Sequence, residues 1–369
     1  MDDLTSLFQI FQSLGLENAN GVFLIQASLM KKLHVAPFPP EMPALIIGID
    51  SQTSLSEIKT NLLAVYPSNH MVRIIHEINA EKLKINESPL DDVIIYSESK
   101  LPLSLLIPPL PEGSSFEQFQ EIIAHLRAPD GCPWDREQTH LTLRKHLIEE
   151  SYETLDALDS GDTTKMKEEF GDLLLQIVLN AQIAQESEEF TMTEVIKGIH
   201  DKIIRRHPHV FGDVEVDGVG PVLQNWEKIK AEEREAGGRQ ETSLLDGLPG
   251  ALPALIQAQE FQSRAARVGF DWPEIEGVLD KIQEEIVEVK KATDMDELTD
   301  ELGDLFFALV NLARWRKIDA ESALRSTNRK FKKRFSFIER KVKNSGKQMK
   351  DMSLEDLEAY WQAAKLQED

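Results

Sequence analysis

Three glutamates recur at helical spacing in two places along this chain: Glu149, Glu150 and Glu153 in EESYE (149–153), and Glu284, Glu285 and Glu288 in EEIVE (284–288). Residues three and four apart share one helix face, so each set presents its carboxylates to one another. A second acidic pair follows each set, Glu169 with Asp172 in EFGD and Glu301 with Asp304 in ELGD. Like charges at this spacing cost roughly a few tenths of a kcal/mol per pair, and more where they are partly buried. A hard divalent cation would compensate them. Oxygen ligands without cysteine or histidine suit Mg²⁺ or Mn²⁺ rather than zinc, and Mg²⁺ typically joins one or two carboxylates to substrate phosphates. A di-iron carboxylate bundle needs Glu-x-x-His, which neither acidic set contains; His146, His207 and His209 are off that spacing and read as capping or surface residues. A merely solvated acidic face is the alternative, and repetition of the whole arrangement argues against it.

Positive residues recur in the same order. Lys202 with Arg206, and Lys330 with Arg334, stand four apart and can reach one ligand from one helix. A nucleoside triphosphate with its metal needs such cations on the phosphates opposite the metal. Trp226 and Trp361 have two readings, a buried aromatic or a plane on which a base stacks. Gly171 and Gly303 sit between the acids of the second pairs, where glycine costs roughly 0.5–1 kcal/mol against alanine in a helix, so a close approach of backbone or ligand is expected there.

Helices must carry these residues. Leu143, Leu147, Ile148, Tyr152, Leu155 and Leu158 recur at threes and fours, Gly161-Asp162 breaks the pattern, and Phe170, Leu173, Leu174, Ile177, Val178 and Ala181 resume it on a second, antiparallel helix. Val278, Leu279, Ile282, Ile286 and Val289, then Leu302, Leu305, Phe306 and Leu309, repeat the scheme, with Asp294 and Glu297 as a capping box between them. The first glutamate set lies 135 positions before the second, the Glu169 pair 132 before the Glu301 pair, Lys202 and Arg206 128 before Lys330 and Arg334, and Trp226 135 before Trp361. Residues 114–369 therefore read as a duplication, with copies at 114–240 and 241–369 divided near the glycine-rich stretch 235–250.

Residues 1–113 differ. Runs such as PALIIGI (43–49), HMVRIIHEI (70–78) and DDVIIYS (91–97) read as strands of a small α/β domain, and LPLSLLIPPLPEGSS (101–115) as a linker or an edge strand leading into one. The expected fold class is mainly α, two tandem helical bundles behind a small α/β domain. A length of 369 residues accommodates several domains. The net charge of −23 opposes gripping nucleic acid or an anionic membrane surface, no apolar run reaches the roughly 20 residues of a membrane helix, and the single cysteine, Cys132, precludes an intramolecular disulfide. A cytoplasmic location without membrane or nucleic-acid partners is expected.

The runs RAPDGCPWDREQTH (127–140), LIEESYETLDAL (147–158), EEFGDLLLQ (168–176), RRHPHVFGD (205–213), VGFDW (268–272) and NLARW (311–315) resemble the MazG nucleoside triphosphate pyrophosphohydrolases, across both copies. The resemblance implies all-α NTP pyrophosphatase bundles, a homodimer, and Mg²⁺-dependent cleavage of NTPs or dNTPs between the α and β phosphates to a monophosphate and pyrophosphate. Carried over, it makes Glu150, Glu153, Glu169 and Asp172, and Glu285, Glu288, Glu301 and Asp304, the metal-binding acids, with Glu150, Glu153, Glu285 and Glu288 also catalytic. Lys281, Glu284, Lys330, Arg334 and Trp361 would hold substrate, with Lys202, Arg206 and Trp226 their first-copy counterparts. It also implies that the second copy does most of the catalysis, although the first keeps all its acids. Within 1–113, GVFLIQASLM (21–30), PFPPEMPALI (37–46) and LLAVYPSNHMVRIIH (62–76) are similar to the C-terminal half of a tetrapyrrole methylase domain; with its glycine-rich cofactor loop lacking, a remnant serving stability or assembly is expected. A nucleotide sensor without turnover, and a narrower dUTP, dCTP or phosphoribosyl-ATP pyrophosphohydrolase, are the rival readings.

Overall fold

The computed structural model describes residues 11–12, 14–16, 19–76, 84–93, 103–236 and 243–366. The chain is mainly helical behind a small N-terminal sheet, and it forms two compact units, Met1–Ile199 and His200–Asp369.

The first unit opens with five strands, β1 (Phe23–Gln26), β2 (Ala44–Ile49), β3 (Met71–Ile75), β4 (Ile85–Pro89) and β5 (Leu103–Ile107), in the order β1-β2-β5-β3-β4. Only the β1/β2 pair is parallel. Two helices accompany the strands, α1 (Ala27–Met30) and α2 (Gln52–Leu63), the latter begun by Ser51, whose hydroxyl accepts the Ser54 N–H at 3.1 Å. Inside, the Asn61 side-chain amide donates to the Met30 carbonyl at 2.7 Å, giving a buried polar group its partner.

Two sequence expectations need correction here. The run around 101–115 supplies the central strand, not an edge or a linker: every residue of β5 is buried, and Pro102 and Pro108 stand on either side of the strand in sequence, not within it. Five consecutive residues without a charge suit a strand covered on both faces. The DDVIIYS run begins as a turn of 3₁₀-helix, Leu90–Asp92, rather than as strand, and 94–97 lie outside the described residues. The division expected between copies at 240 likewise lies outside them.

Helices then follow without interruption by strands: α3 (Phe116–Arg127), α4 (Pro133–Arg136), α5 (His140–Ser160), α6 (Thr163–Glu186) and α7 (Met192–Arg206). Thr139 and Thr142 form a reciprocal capping box at the start of α5. Gly161, at φ 69°, ends it in the left-handed conformation, and Asp162 accepts the Thr164 and Lys165 N–H groups to start α6. A two-residue joint thus folds α6 back along α5, as expected, and the pair packs together. The second unit continues with α8 (Pro208–Phe211), α9 (Val219–Ala236), α10 (Ala254–Arg267), α11 (Ile275–Lys291), α12 (Met295–Trp315), α13 (Ala320–Asn344) and α14 (Leu354–Lys365). Here α11 packs on α12, α10 on α12 and α13, and α14 on α13. Asp294 caps α12 as expected, accepting the Asp296 and Glu297 N–H groups, but Glu297 closes on the Thr293 N–H at 2.7 Å instead of on Asp294. The box is displaced by one residue, because Thr293 offers both its N–H and its hydroxyl.

The apolar stripes are only partly buried. Of the α5 stripe Leu143 is buried, whereas Leu147, Ile148, Tyr152, Leu155 and Leu158 are each more than a third exposed; Phe306 on α12 is 59% exposed. Two-helix pairing covers one edge of each stripe and leaves the rest uncovered among the described residues. Gly161→Ala is expected to destabilise the first unit by about 1–2 kcal/mol through the left-handed backbone it must keep, read as a lower thermal midpoint; an unchanged midpoint would show that the α5–α6 joint tolerates a β-carbon.

Candidate functional site

The tight joint brings the acids of α5 opposite those of α6. Carboxylate oxygens of Glu150, Glu169 and Asp172 lie within 4.8 Å of one another, and those of Glu285, Glu288 and Glu301 do the same across α11 and α12. Glu153 and Asp304 stand outside these closest groups yet act on them electrostatically. Desolvation, then Asp172, Glu153, Glu149 and Glu169, push the Glu150 carboxyl above its usual value. Desolvation and then Glu153 raise Glu169, and desolvation and then Glu288, Glu285 and Asp304 raise Glu301. No histidine or cysteine enters either cluster among the described residues. An all-oxygen set of mutually repelling carboxylates fits a hard cation such as Mg²⁺.

The copies differ beside the acids. Lys281 reaches Glu285 at 2.7 Å and Glu284 at 3.0 Å, and these partners, Glu285 foremost, raise its pKa above the usual lysine range. Glu285 is 2% exposed, and its Oε2 has no hydrogen-bond partner in the structure. A buried carboxylate oxygen left open beside two further carboxylates is what an oxygen-seeking cation would satisfy. In the first copy the position matching Lys281 is His146, whose Nδ1 lies 3.5 Å from Glu149. The 135-residue offset already carried this signal.

Arg206 lies over the Trp226 ring at 5.1 Å, with Lys230 at 4.8 Å from the same ring, and Arg334 lies over Trp361 at 5.4 Å. Arg206 is bonded to Glu233 at 2.6 Å, and Phe331 sits 5.3 Å from Trp361. The duplication therefore extends to an arginine–tryptophan pair, and both tryptophans are half-buried beneath a cation. Lys202 and Lys330 are exposed. In the second unit α13, which carries Lys330 and Arg334, packs on the acid-bearing α12. Lys202, Arg206 and Trp226 belong to the second unit and the first acidic cluster to the first. The close approach expected at Gly171 and Gly303 is not made among the described residues: a β-carbon at either would meet nothing within 4 Å.

Raised carboxyl pKa values have a definite consequence for stability. Protonation of these glutamates is favoured in the folded state, so their contribution is present below the usual value of 4.5 and is lost as pH rises through the folded values. At neutral pH they oppose folding. Glu169→Gln and Glu301→Gln are expected to raise the thermal midpoint at pH 7 in the absence of divalent cation, the gain shrinking as pH falls towards the carboxylate range. Lower midpoints for both variants at pH 7 would contradict this account.

The family description "MazG nucleotide pyrophosphohydrolase domain" matches residues 138–211 and 274–336, segments that hold both acid-bearing helix pairs. The nucleoside triphosphate pyrophosphohydrolase/pyrophosphatase MazG of Thermotoga maritima is 46% identical over 253 residues, spanning 69% of this chain and 96% of that protein. The nucleoside triphosphate pyrophosphohydrolase of Escherichia coli strain K12 is 44% identical over 261 residues, 69% of this chain and 98% of the relative. Protein YabN of Bacillus subtilis, described as uncharacterized, is 43% identical over 329 residues, 87% of this chain and 67% of its own length. Two relatives matched over nearly their whole lengths, through the segments that bear the acidic clusters, place this chain in the MazG nucleotide pyrophosphohydrolase family.

Proposed function

We propose that the chain is a nucleoside triphosphate pyrophosphohydrolase that uses Mg²⁺, or Mn²⁺, to cleave NTPs and dNTPs between the α and β phosphates, yielding a monophosphate and pyrophosphate in a house-cleaning role. The observation that carries the reading is the pair of three-carboxylate clusters, each within 4.8 Å, on the two segments that match the family. Glu150, Glu153, Glu169 and Asp172 would hold metal in the first copy, and Glu285, Glu288, Glu301 and Asp304 in the second. Bound there, Mg²⁺ supplies Lewis-acid polarisation of the phosphoanhydride and acidifies the attacking water. The protein's part is positional and electrostatic. Glu288, at the end of the EEIVE set, orients the water and accepts its proton; Glu153 is its counterpart. Lys281 holds Glu284 and Glu285 in place through its two ion pairs, and on substrate entry contacts a phosphate. Lys330 and Arg334 neutralise the phosphate charge that builds during cleavage, and the base stacks at Trp361, displacing or sharing the Arg334 contact. By the repeat, Lys202, Arg206 and Trp226 are the first-copy counterparts of Lys330, Arg334 and Trp361. No covalent nucleophile is needed.

The copies are assigned to 114–240 and 241–369, behind a structural α/β domain at 1–113, in a cytoplasmic protein; no helix among the described residues is long and apolar enough to cross a membrane. A homodimer is supported by the half-exposed apolar faces of α5, α6 and α12, which include Ile148, Phe170 and Phe306.

Incubation with a panel of NTPs and dNTPs plus Mg²⁺ is expected to give monophosphate and pyrophosphate. Glu288→Ala is expected to lower turnover about 10²–10⁴-fold, as loss of a general base does, and Glu153→Ala to lower it less. Diphosphate with inorganic phosphate, or no turnover, would instead favour a nucleotide sensor. Light scattering on the purified chain is expected to give twice the chain mass, and Phe306→Glu to shift it towards one; a monomeric unaltered chain would refute the dimer.

A further inference from the structure

The stretch between α3 and α5 lies within the run RAPDGCPWDREQTH singled out in the sequence, and neither the metal clusters nor the arginine–tryptophan pairs account for it. It is held from every side. The Arg127 guanidinium bonds the Glu186 carboxylate at 2.7 and 2.9 Å and also donates to the Asp135 carbonyl and, at 3.3 Å, to the Gln138 carbonyl. The Cys132 N–H returns to the Leu126 carbonyl at 2.8 Å, and Arg136 reaches the Pro129 carbonyl at 3.0 Å. Gly131 passes so near the end of α3 that a β-carbon there would lie 2.3 Å from the His125 carbonyl oxygen. What this braced segment displays is Trp134, 59% exposed, on a single helical turn begun by Pro133. Its ring stands edge-on to His146, with 6.4 Å between ring centroids. His146 in turn touches Glu149, whose charge acts on Glu150 of the first acidic cluster.

A braced turn that holds an indole in solvent offers a flat face on which a ligand ring can stack. We propose that Trp134 is the base-binding plane of the first copy and His146 its phosphate-side contact, so that one nucleotide runs from Trp134, past His146, to the metal held by Glu150, Glu169 and Asp172. This rests on the pyrophosphohydrolase reading above and replaces, for the first copy, the assignment of the base to Trp226. An exposed indole accepts any base face by stacking, whereas an imidazole placed where the second copy has Lys281 can meet phosphate oxygens as a donor. In the second copy the tryptophan that precedes the acidic helix, Trp272, is 44% exposed but has one part of its ring against the backbone: a β-carbon at Gly277 would meet it at 2.5 Å. The copies thus bind nucleotides with different aromatic platforms.

The test is calorimetric titration of the full chain carrying Glu285→Ala and Glu288→Ala, which removes metal from the second copy, with Mg²⁺ and the α,β-methylene analogue of ATP or CTP, and separately with inorganic tripolyphosphate. Adding Trp134→Ala is expected to weaken both nucleotides about tenfold while leaving tripolyphosphate unchanged, with Trp134→Phe restoring most of the loss. His146→Ala is expected to weaken all three ligands. Thermal midpoints should stay level, since the ring is exposed. Unchanged nucleotide affinity in Trp134→Ala, or an equal loss for tripolyphosphate, would overturn the inference. So would absence of nucleotide binding in the Glu285→Ala, Glu288→Ala background; if the unaltered chain then binds one nucleotide, the proposed function stands without this site, and if it binds none, both fall.

Discussion

Carboxylates held against carboxylates set the terms for the helical part of this protein. Between α5 and α6, and again between α11 and α12, acids are brought within 4.8 Å by helix pairs that must therefore be stabilised from elsewhere. The opposing charge at Glu150, Glu169 and Glu301 shows in carboxyl groups shifted towards protonation. The pairs also bury aliphatic side chains farther along their helices: Leu143, Val178 and Leu179 in the first pair, Val278, Ala308 and Val310 in the second. Burial of a few aliphatic side chains, each contributing roughly 1.5–3 kcal/mol, outweighs like-charge terms of roughly a few tenths each. The excess repulsion is then available to be relieved by a cation.

The same frame carries two differently finished sites. In the second copy Lys281 lies against Glu285, and the carboxylate can be buried because it is paired on one oxygen. In the first copy His146 touches Glu149 instead, and Glu150 stays half-buried without such a cation. One site thus sets a lysine ammonium beside its acids where the other sets an imidazole. Duplication preserved the acids themselves, while their tightest grouping, closed by Asp172 in the first copy and by Glu288 in the second, and the group beside them diverged.

The arginine–tryptophan pairs show how strongly the repeat constrains structure beyond the acids. Arg206 on Trp226 and Arg334 on Trp361 form at sequence separations that differ between the copies, 20 and 27 residues, with the same stacked outcome. Glu233 ties down Arg206 in one copy, whereas Phe331 supports Trp361 in the other. Cation–π contact sets each guanidinium against its aromatic partner, and in the first copy the same guanidinium also donates to the Glu233 carboxylate.

The sequence alone determined the helical pairs, their acids and their duplication, because a helix repeats every 3.6 residues and spacing then dictates which side chains share a face. Gly161 and Asp162 announced the joint for the same local reason: a left-handed terminus and a capping carboxylate are properties of a few adjacent residues. Periodicity could not tell how much of each stripe would be covered, so Leu147, Phe170 and Phe306 were legible as apolar but not as exposed. Nor could it place β5, since LSLLI reads equally as an edge or a centre until its partners β2 and β3 are known. Tertiary structure also decided that Glu153 and Asp304 stand back from the tightest groups, that Glu285 is buried under Lys281, and that Trp134 faces His146. Those facts depend on distances between elements remote along the chain, which composition and spacing do not encode.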